Sequence, residues 1–293
     1  MTSSPDTDSA ARPIISVLVT VCNAQHHIGG VVEMLDRQEL DGRWEIVVCV
    51  GPSNDKTLEA LSSMTANHPR LVVAATSTPG IPAGRNAAVR ASSASLLLFC
   101  DADDEPEDGW LATMASSLRE HRLVAGSVQI RTPTGTDGTT PKTLDSAPYL
   151  HPYGYLPYGL TANLGVRRSV WDLLGGFDER MRWGDDVDFT WRAQERGVSL
   201  GRCDALVYKV ARSTPWARFR QHYRFGRTDV LLFKAHRDKG MPRHLARAVK
   251  TWVWLVGAAP LCLRRRDRFR WAGVLGHRIG RLAESAKQRT LYL

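Results

Sequence analysis

The chain has 293 residues, 43% hydrophobic and 24% charged, a balance that supplies a buried core and excludes a disordered, collagen-like or disulfide-stapled protein. Its formal net charge of +9 divides unevenly, with residues 205–293 at +17 and residues 1–204 at −8. An acidic body with a basic tail directs that tail to nucleic acid, anionic lipid or a phosphorylated substrate, and composition does not choose among them.

Residues 1–12 lack the basic start and apolar stretch of a secretory signal and read as a disordered tail. Residues 14–21 (IISVLVTV) are rich in β-branched side chains and predict a buried strand. A helix over 28–40 follows, then a strand over 45–50, a helix over 53–64, a strand over 71–75, a helix over 83–91 and a strand over 95–100 (SLLLFC). This alternation predicts βαβ units, hence a parallel sheet covered by helices. Ligands of such sheets bind beyond the carboxyl ends of the strands, so the chemistry is expected in the segments just after them. Residues 132–159, rich in Thr, Pro, Gly and Tyr, predict a long functional or disordered loop. Regular structure resumes at 161–166, with a helix over 169–174. No apolar run reaches the ~20 residues of a membrane-spanning helix. Five cysteines without paired or metal-binding spacing read as the reduced thiols of a cytoplasmic protein.

Asp101-Ala102-Asp103-Asp104 ends the strand SLLLFC. On an extended chain Asp101 and Asp103 share a face and Asp104 points away. Neighbouring carboxylates repel unless a cation compensates, and a divalent ion that also binds a substrate diphosphate would do so; a solvated acidic turn is the other reading. A second constellation is GGFDE (175–179) followed by GDDVDFTWR (184–192). Its acidic residues either complement a helix dipole or place a general base in a cleft.

Taken together and in order, these segments resemble family 2 of the glycosyltransferases over roughly residues 14–230. The resemblance is carried by Asn23 after the first strand, EIVVCVGPSND with Ser53 and Asp55, Gly84-Arg85-Asn86, Asp101–Asp104, GGFDE and GDDVDFTWR. It implies an α/β GT-A fold, a Rossmann-like sheet flanked by helices, with a helical C-terminal region. It implies a metal-dependent inverting transferase that uses a nucleotide-diphosphate sugar donor and Mn2+ or Mg2+. Thr20, Cys22, Asn23, Ser53 and Asp55 would line the nucleotide pocket, and Arg85 would frame the donor. Asp101 would face the ribose or the metal, Asp103 would hold the metal, and Asp186 would be the general base, with Asp185 in place of the family's glutamate beside it. The family's Pro-x-Tyr-Asn is replaced by Thr20-Val21-Cys22-Asn23, and its paired aspartates after the second strand by Val50 and Gly51, which weakens the case for UDP over GDP. A nucleotidyltransferase lacks support because CNAQHH is not a Gly-rich basic loop. A degenerate binding module fits poorly with the retained Asp103 and Asp186.

Residues 216–234 place Arg220, Arg224 and Arg227 near one another at helical spacing, either as a solvated basic face or as ligands for phosphate. The resemblance makes His222 a candidate further metal ligand; a plain surface histidine is the alternative. Residues 251–263 are uncharged and run into RRRDRFR. With Trp252, Trp254 and Trp271 at headgroup depth, the tail predicts contact with an anionic membrane surface more readily than a packed hairpin, and it carries no nucleic-acid motif. The expected organisation is a tail (1–12), a GT-A domain (13–240) and a basic, apolar helical region (241–293). The enzyme is expected to be cytoplasmic, peripheral to the inner face of the cell membrane. Its hydroxyl acceptor would be lipid-linked or part of a cell-envelope glycan.

Overall fold

The computed structural model describes residues 13–131, 153–210, 214–260, 264 and 267–292. The 1–12 tail, most of the 132–159 loop, Cys262 and part of the RRRDRFR run lie outside the described residues.

β1 (Ile15–Val21) and β2 (Trp44–Val50) are almost wholly buried, as strands covered on both faces must be. They pair in parallel, with β3 (Leu71–Ala75) outside β2 and β4 (Leu96–Phe99) on the other side of β1. The crossovers are α1 (Ile28–Asp36), α2 (Thr57–Met64) and α3 (Ile81–Ala91). Parallel pairing needs a crossover of a dozen or more residues, which these three helices supply for β1 to β4. Across β1 to β4 the sheet is parallel, as the alternation predicts; beyond β4 it is mixed. β7 (Leu164–Arg167) runs against both β4 and β6 (Leu123–Arg131), and β5 (Asp104–Pro106) runs against β8 (Leu200–Val210). β6 and β8 also pair in parallel. The complete order is β3-β2-β1-β4-β7-β6-β8-β5. α4 (Trp110–Glu120) leads into β6, and α5 (Arg168–Leu174) leads on towards α6 (Asp185–Glu195).

Two buried clusters cover the two faces of the sheet. A third, around Trp191, Met181, Phe233 and Tyr292, joins α6 to the C-terminal region. Within it the Tyr292 ring stacks on Phe233 at 4.5 Å. The Tyr-rich stretch from Tyr153 to Tyr158 packs here as well, with the Trp191 indole donating to the Leu156 carbonyl.

α7 (Pro215–His236) opens with proline in its first turn and the Thr214 hydroxyl accepting from the Ala217 amide, a standard helix start. α8 (Leu245–Gly257) and α9 (Arg268–Gln288) follow. α9 lies against α7 with the backbones in contact. A Cβ at Gly226, Gly276 or Gly280 would run into the carbonyl oxygen of His277, Phe219 or Tyr223 respectively.

Candidate active site

The carboxyl ends of β1 and β2 are laced together by their loops. The Asn23 amide donates to the Ser53 hydroxyl at 3.0 Å, and the Asn54 amide returns to Asn23 Oδ1 at 2.9 Å. Asp55 accepts from the Gln25 amide and from both the amide and hydroxyl of Thr57, bonds that hold its carboxyl below the usual range, the Thr57 contact foremost. The Cys22 thiol donates to the Pro52 carbonyl. Asn23 sits at φ +53°, a region asparagine tolerates better than most residues. Thr20, at the end of β1, touches α3 where Gly84 leaves room for its methyl. These contacts occupy residues 51–56, so α2 starts at Thr57 and not at 53. The structure therefore brings Thr20, Cys22, Asn23, Ser53 and Asp55 to the mouth of the parallel strands. Asn23, Ser53 and Asp55 use their side chains there to fix the shape of the loop.

The acidic turn after β4 differs from the alternating geometry expected of it. Residues 101–103 form a turn closed by the Asp104 amide on the Asp101 carbonyl, so extended-strand alternation does not apply. Asp101, Asp103 and Asp104 can each bring one oxygen within 4.8 Å of the others. Asp103 is exposed and Asp104 buried. The reason lies across the sheet: β5 registers Asp104 directly opposite Lys209 on β8. The Lys209 ammonium donates to Asp104 at 2.7 Å and to Asp101 at 3.0 Å. Burial nonetheless pushes the Asp104 carboxyl up to about 7, against the pull of Lys209. Burial alone would raise Asp101 too, but Arg85 and Lys209 hold it below the ordinary carboxylate value. Nothing in the residue pattern of β8 marks Lys209; only the register reveals it.

The second constellation meets the first through α3. Arg85, buried, donates to Asp101 at 2.9 Å and to Asp185 at 2.7 Å. The next residue, Asn86, clamps the GGFDE turn: its amide donates to the Phe177 carbonyl and to Glu179, and its oxygen accepts from the Phe177 amide. Arg192 closes the same turn from α6, donating to the carbonyls of Leu174 and Gly176 and to Asp188. α6 begins after Gly184, whose φ of +74° and contact with the Thr228 methyl leave no room for a side chain. Asp185 and Asp186 thus stand in the first turn of a helix fixed from three sides. Asp185 is engaged by Arg85. No salt bridge reaches Asp186 among the described residues, although its Oδ1 accepts from the Val187 amide. Burial, and then the negative charge of Asp185, raise the Asp186 carboxyl to about 6.

The arginines of α7 lie apart from this centre. Arg224 stacks over Trp183 at 5.1 Å, and Arg227 pairs with Glu284 at 2.7 Å. Both line a groove of about 340 Å³ with Trp183, Trp216, Phe219 and Tyr223. A larger groove of about 660 Å³ shares Trp183 and Arg227 and runs on to Lys234 and Lys287. Trp183 is three residues ahead of Asp186, so these grooves adjoin the Asp186 turn. His222 is not brought to the acidic turn. It packs on Phe225 and His277 between α7 and α9, where burial lowers it to about 4. The potential metal-holding group among the described residues comprises the three aspartates without it. The donor set fits a hard divalent cation: every candidate ligand is a carboxylate oxygen, and Asp104 Oδ1 is buried without a hydrogen-bond partner.

A sequence profile described as Glycosyl transferase family 2 matches residues 16–174, over half the chain. Glycosyltransferase AglE of Haloferax volcanii is 28% identical over 199 residues, covering 66% of this chain and 65% of the relative. The pre-mycofactocin glycosyltransferase of Mycobacterium tuberculosis is 28% identical over 222 residues, covering 71% of this chain and 46% of the relative. The chain thus spans less than two thirds of the length of either relative. Among solved structures, the mannosyltransferase PcManGT from Pyrobaculum calidifontis, in complex with GDP-Man and Mn2+, has a TM-score of 0.71 at 16% identity. That match covers 96% of this chain and 89% of the other.

Proposed function

The chain belongs to glycosyl transferase family 2 and has its GT-A fold, and from that premise we propose that it moves a sugar from a nucleotide-diphosphate donor to an acceptor hydroxyl with inversion at the anomeric carbon. One observation carries the reading: Arg85 ties the Asp101–Asp104 turn to Asp185, while Asp186 beside it makes no salt bridge among the described residues and is raised to about 6 by burial and the Asp185 charge, against the pull of Arg85. That is the state of a carboxylate able to accept a proton near neutral pH. Asp186 takes the proton from the acceptor hydroxyl as its oxygen attacks the anomeric carbon. The bond from that carbon to the diphosphate oxygen breaks, and the nucleoside diphosphate leaves from the opposite face.

The loops carrying Thr20, Cys22, Asn23, Ser53 and Asp55 form the nucleotide pocket, and Arg85 frames the donor end of the cleft. Asp103 and Asp101 would hold Mn2+ or Mg2+, which when bound supplies positive charge to the leaving diphosphate. Arg224 and Arg227, beside Trp183, would meet a phosphate-bearing part of the acceptor. That placement agrees with a lipid-linked or cell-envelope acceptor and with an enzyme peripheral to a membrane. No helix among the described residues is long and apolar enough to cross one.

The test is a screen of UDP-, GDP- and dTDP-sugars with Mn2+, read as release of free nucleoside diphosphate. Release from one nucleotide class, accelerated by an acceptor, is expected. No release from any nucleotide sugar would overturn the assignment.

A further inference from the structure

α8 shows water the wrong face. Leu245, Val249, Val253 and Val256 are 47%, 63%, 68% and 75% exposed, and their spacing of four, four and three residues sets them in one stripe along the helix. At 1.5 Å per residue the stripe is about 17 Å long. Ala246 and Gly257, also exposed, widen it without adding a polar group. The opposite edge of α8 is fastened to α9. Ala248 and Leu255 are buried, the Thr251 hydroxyl accepts from Arg278, and the Trp271 indole donates to the Leu255 carbonyl. Trp254 lies under the Arg270 guanidinium at 5.0 Å. Two of the three tryptophans expected at headgroup depth are therefore engaged within the helix pair, and the aliphatic stripe is the exposed apolar face of α8. A contiguous exposed patch of this kind marks an interaction site.

Charge selects the occupant. Lys250, Arg243 and Arg247 on or just before α8 are exposed, and the chain from residue 205 onward carries net +17. A second copy of the chain laid stripe to stripe would set these cations against their own equivalents. An anionic bilayer complements both the stripe and its basic border. α8 is too short to span, but it has the build of a helix that lies in the interface with its apolar side at the acyl boundary.

We propose that α8 docks the protein on an anionic membrane surface, lying in the bilayer plane with Leu245, Val249, Val253 and Val256 immersed. This deepens the membrane-peripheral part of the reading above, and its test reads lipid binding and not sugar transfer, so each can fail without the other.

The experiment is co-sedimentation of the full chain with phosphatidylcholine vesicles, with and without phosphatidylglycerol. Wild type is expected to bind the anionic vesicles and bind neutral ones at least about tenfold less. Val249→Glu with Val253→Glu should lower anionic-vesicle binding by at least about tenfold. Because both side chains face solvent, the far-ultraviolet circular dichroism and melting temperature should not change. Absence of wild-type binding, or undiminished binding by the folded double variant, overturns the proposal. So does a wild-type dimer, seen by light scattering, that the double variant dissolves.

Discussion

Asp185 and Asp186 are adjacent, chemically identical and in unlike surroundings. Arg85 holds the first, whereas burial beside that first carboxylate raises the second to about 6. A base works only as the carboxylate, so kcat/KM should climb with pH through about 6 and level off above it, as a pH–rate profile will show. Arg85 compensates two carboxylates from a buried position, and breaking a buried pair leaves uncompensated charge. Arg85→Met should therefore lower stability by about 3 kcal/mol or more, measured by urea unfolding. For the acidic turn, EDTA should abolish turnover and added Mn2+ or Mg2+ should restore it; full turnover by extensively chelated protein would contradict the metal assignment. Asp101, Asp103, Arg85 and Asp186 could be named as candidates from the sequence because each stands in a short contiguous motif that carries the family resemblance. Lys209 could not. It neutralises Asp101 and Asp104 only because β5 registers against β8, a long-range pairing that no local pattern encodes.

The elements that carry the site divide in the same way. β1 to β4 were readable from runs of β-branched and aliphatic residues, and the loops after them hold the candidate pocket. β5 has three residues, too short for any periodicity, yet it sets the depth of Asp104. The union of α7 with α9 was also hidden. Gly273, Gly276 and Gly280 recur at helical spacing, but the sequence does not name Phe219 and Tyr223 as the backbone they meet. A side chain at Gly280 would strike the Tyr223 carbonyl oxygen, and neither helix backbone can yield without parting the pair. Gly280→Val should cost about 1–3 kcal/mol or more, seen as a lowered melting temperature. Because Gly184 locks α7 to the start of α6 through Thr228, that variant should also slow transfer more than it weakens donor binding.

Across the whole molecule the charge split is the dominant feature. The acidic body supplies the aspartates of the candidate site, and the basic C-terminal region supplies the helices that flank the Trp183 grooves and present the α8 stripe. Composition announced the split, whereas the direction in which the apolar stripe faces followed only from the packing of α8 on α9. Salt screens exposed charge over about 8 Å at physiological ionic strength, so raising it should weaken vesicle binding more than donor binding; equal losses in both would contradict this separation of surfaces. The central claim is that Asp186 is the base of a sugar transfer performed at that site. Its most direct test compares wild type with Asp186→Asn on the donor identified by screening, with transfer followed as product formation and donor binding by calorimetry in the presence of Mn2+. The account predicts a fall in transfer of about 10²–10⁴-fold with donor affinity near that of wild type. Transfer by Asp186→Asn at a near wild-type rate would contradict it and move the role to Asp185.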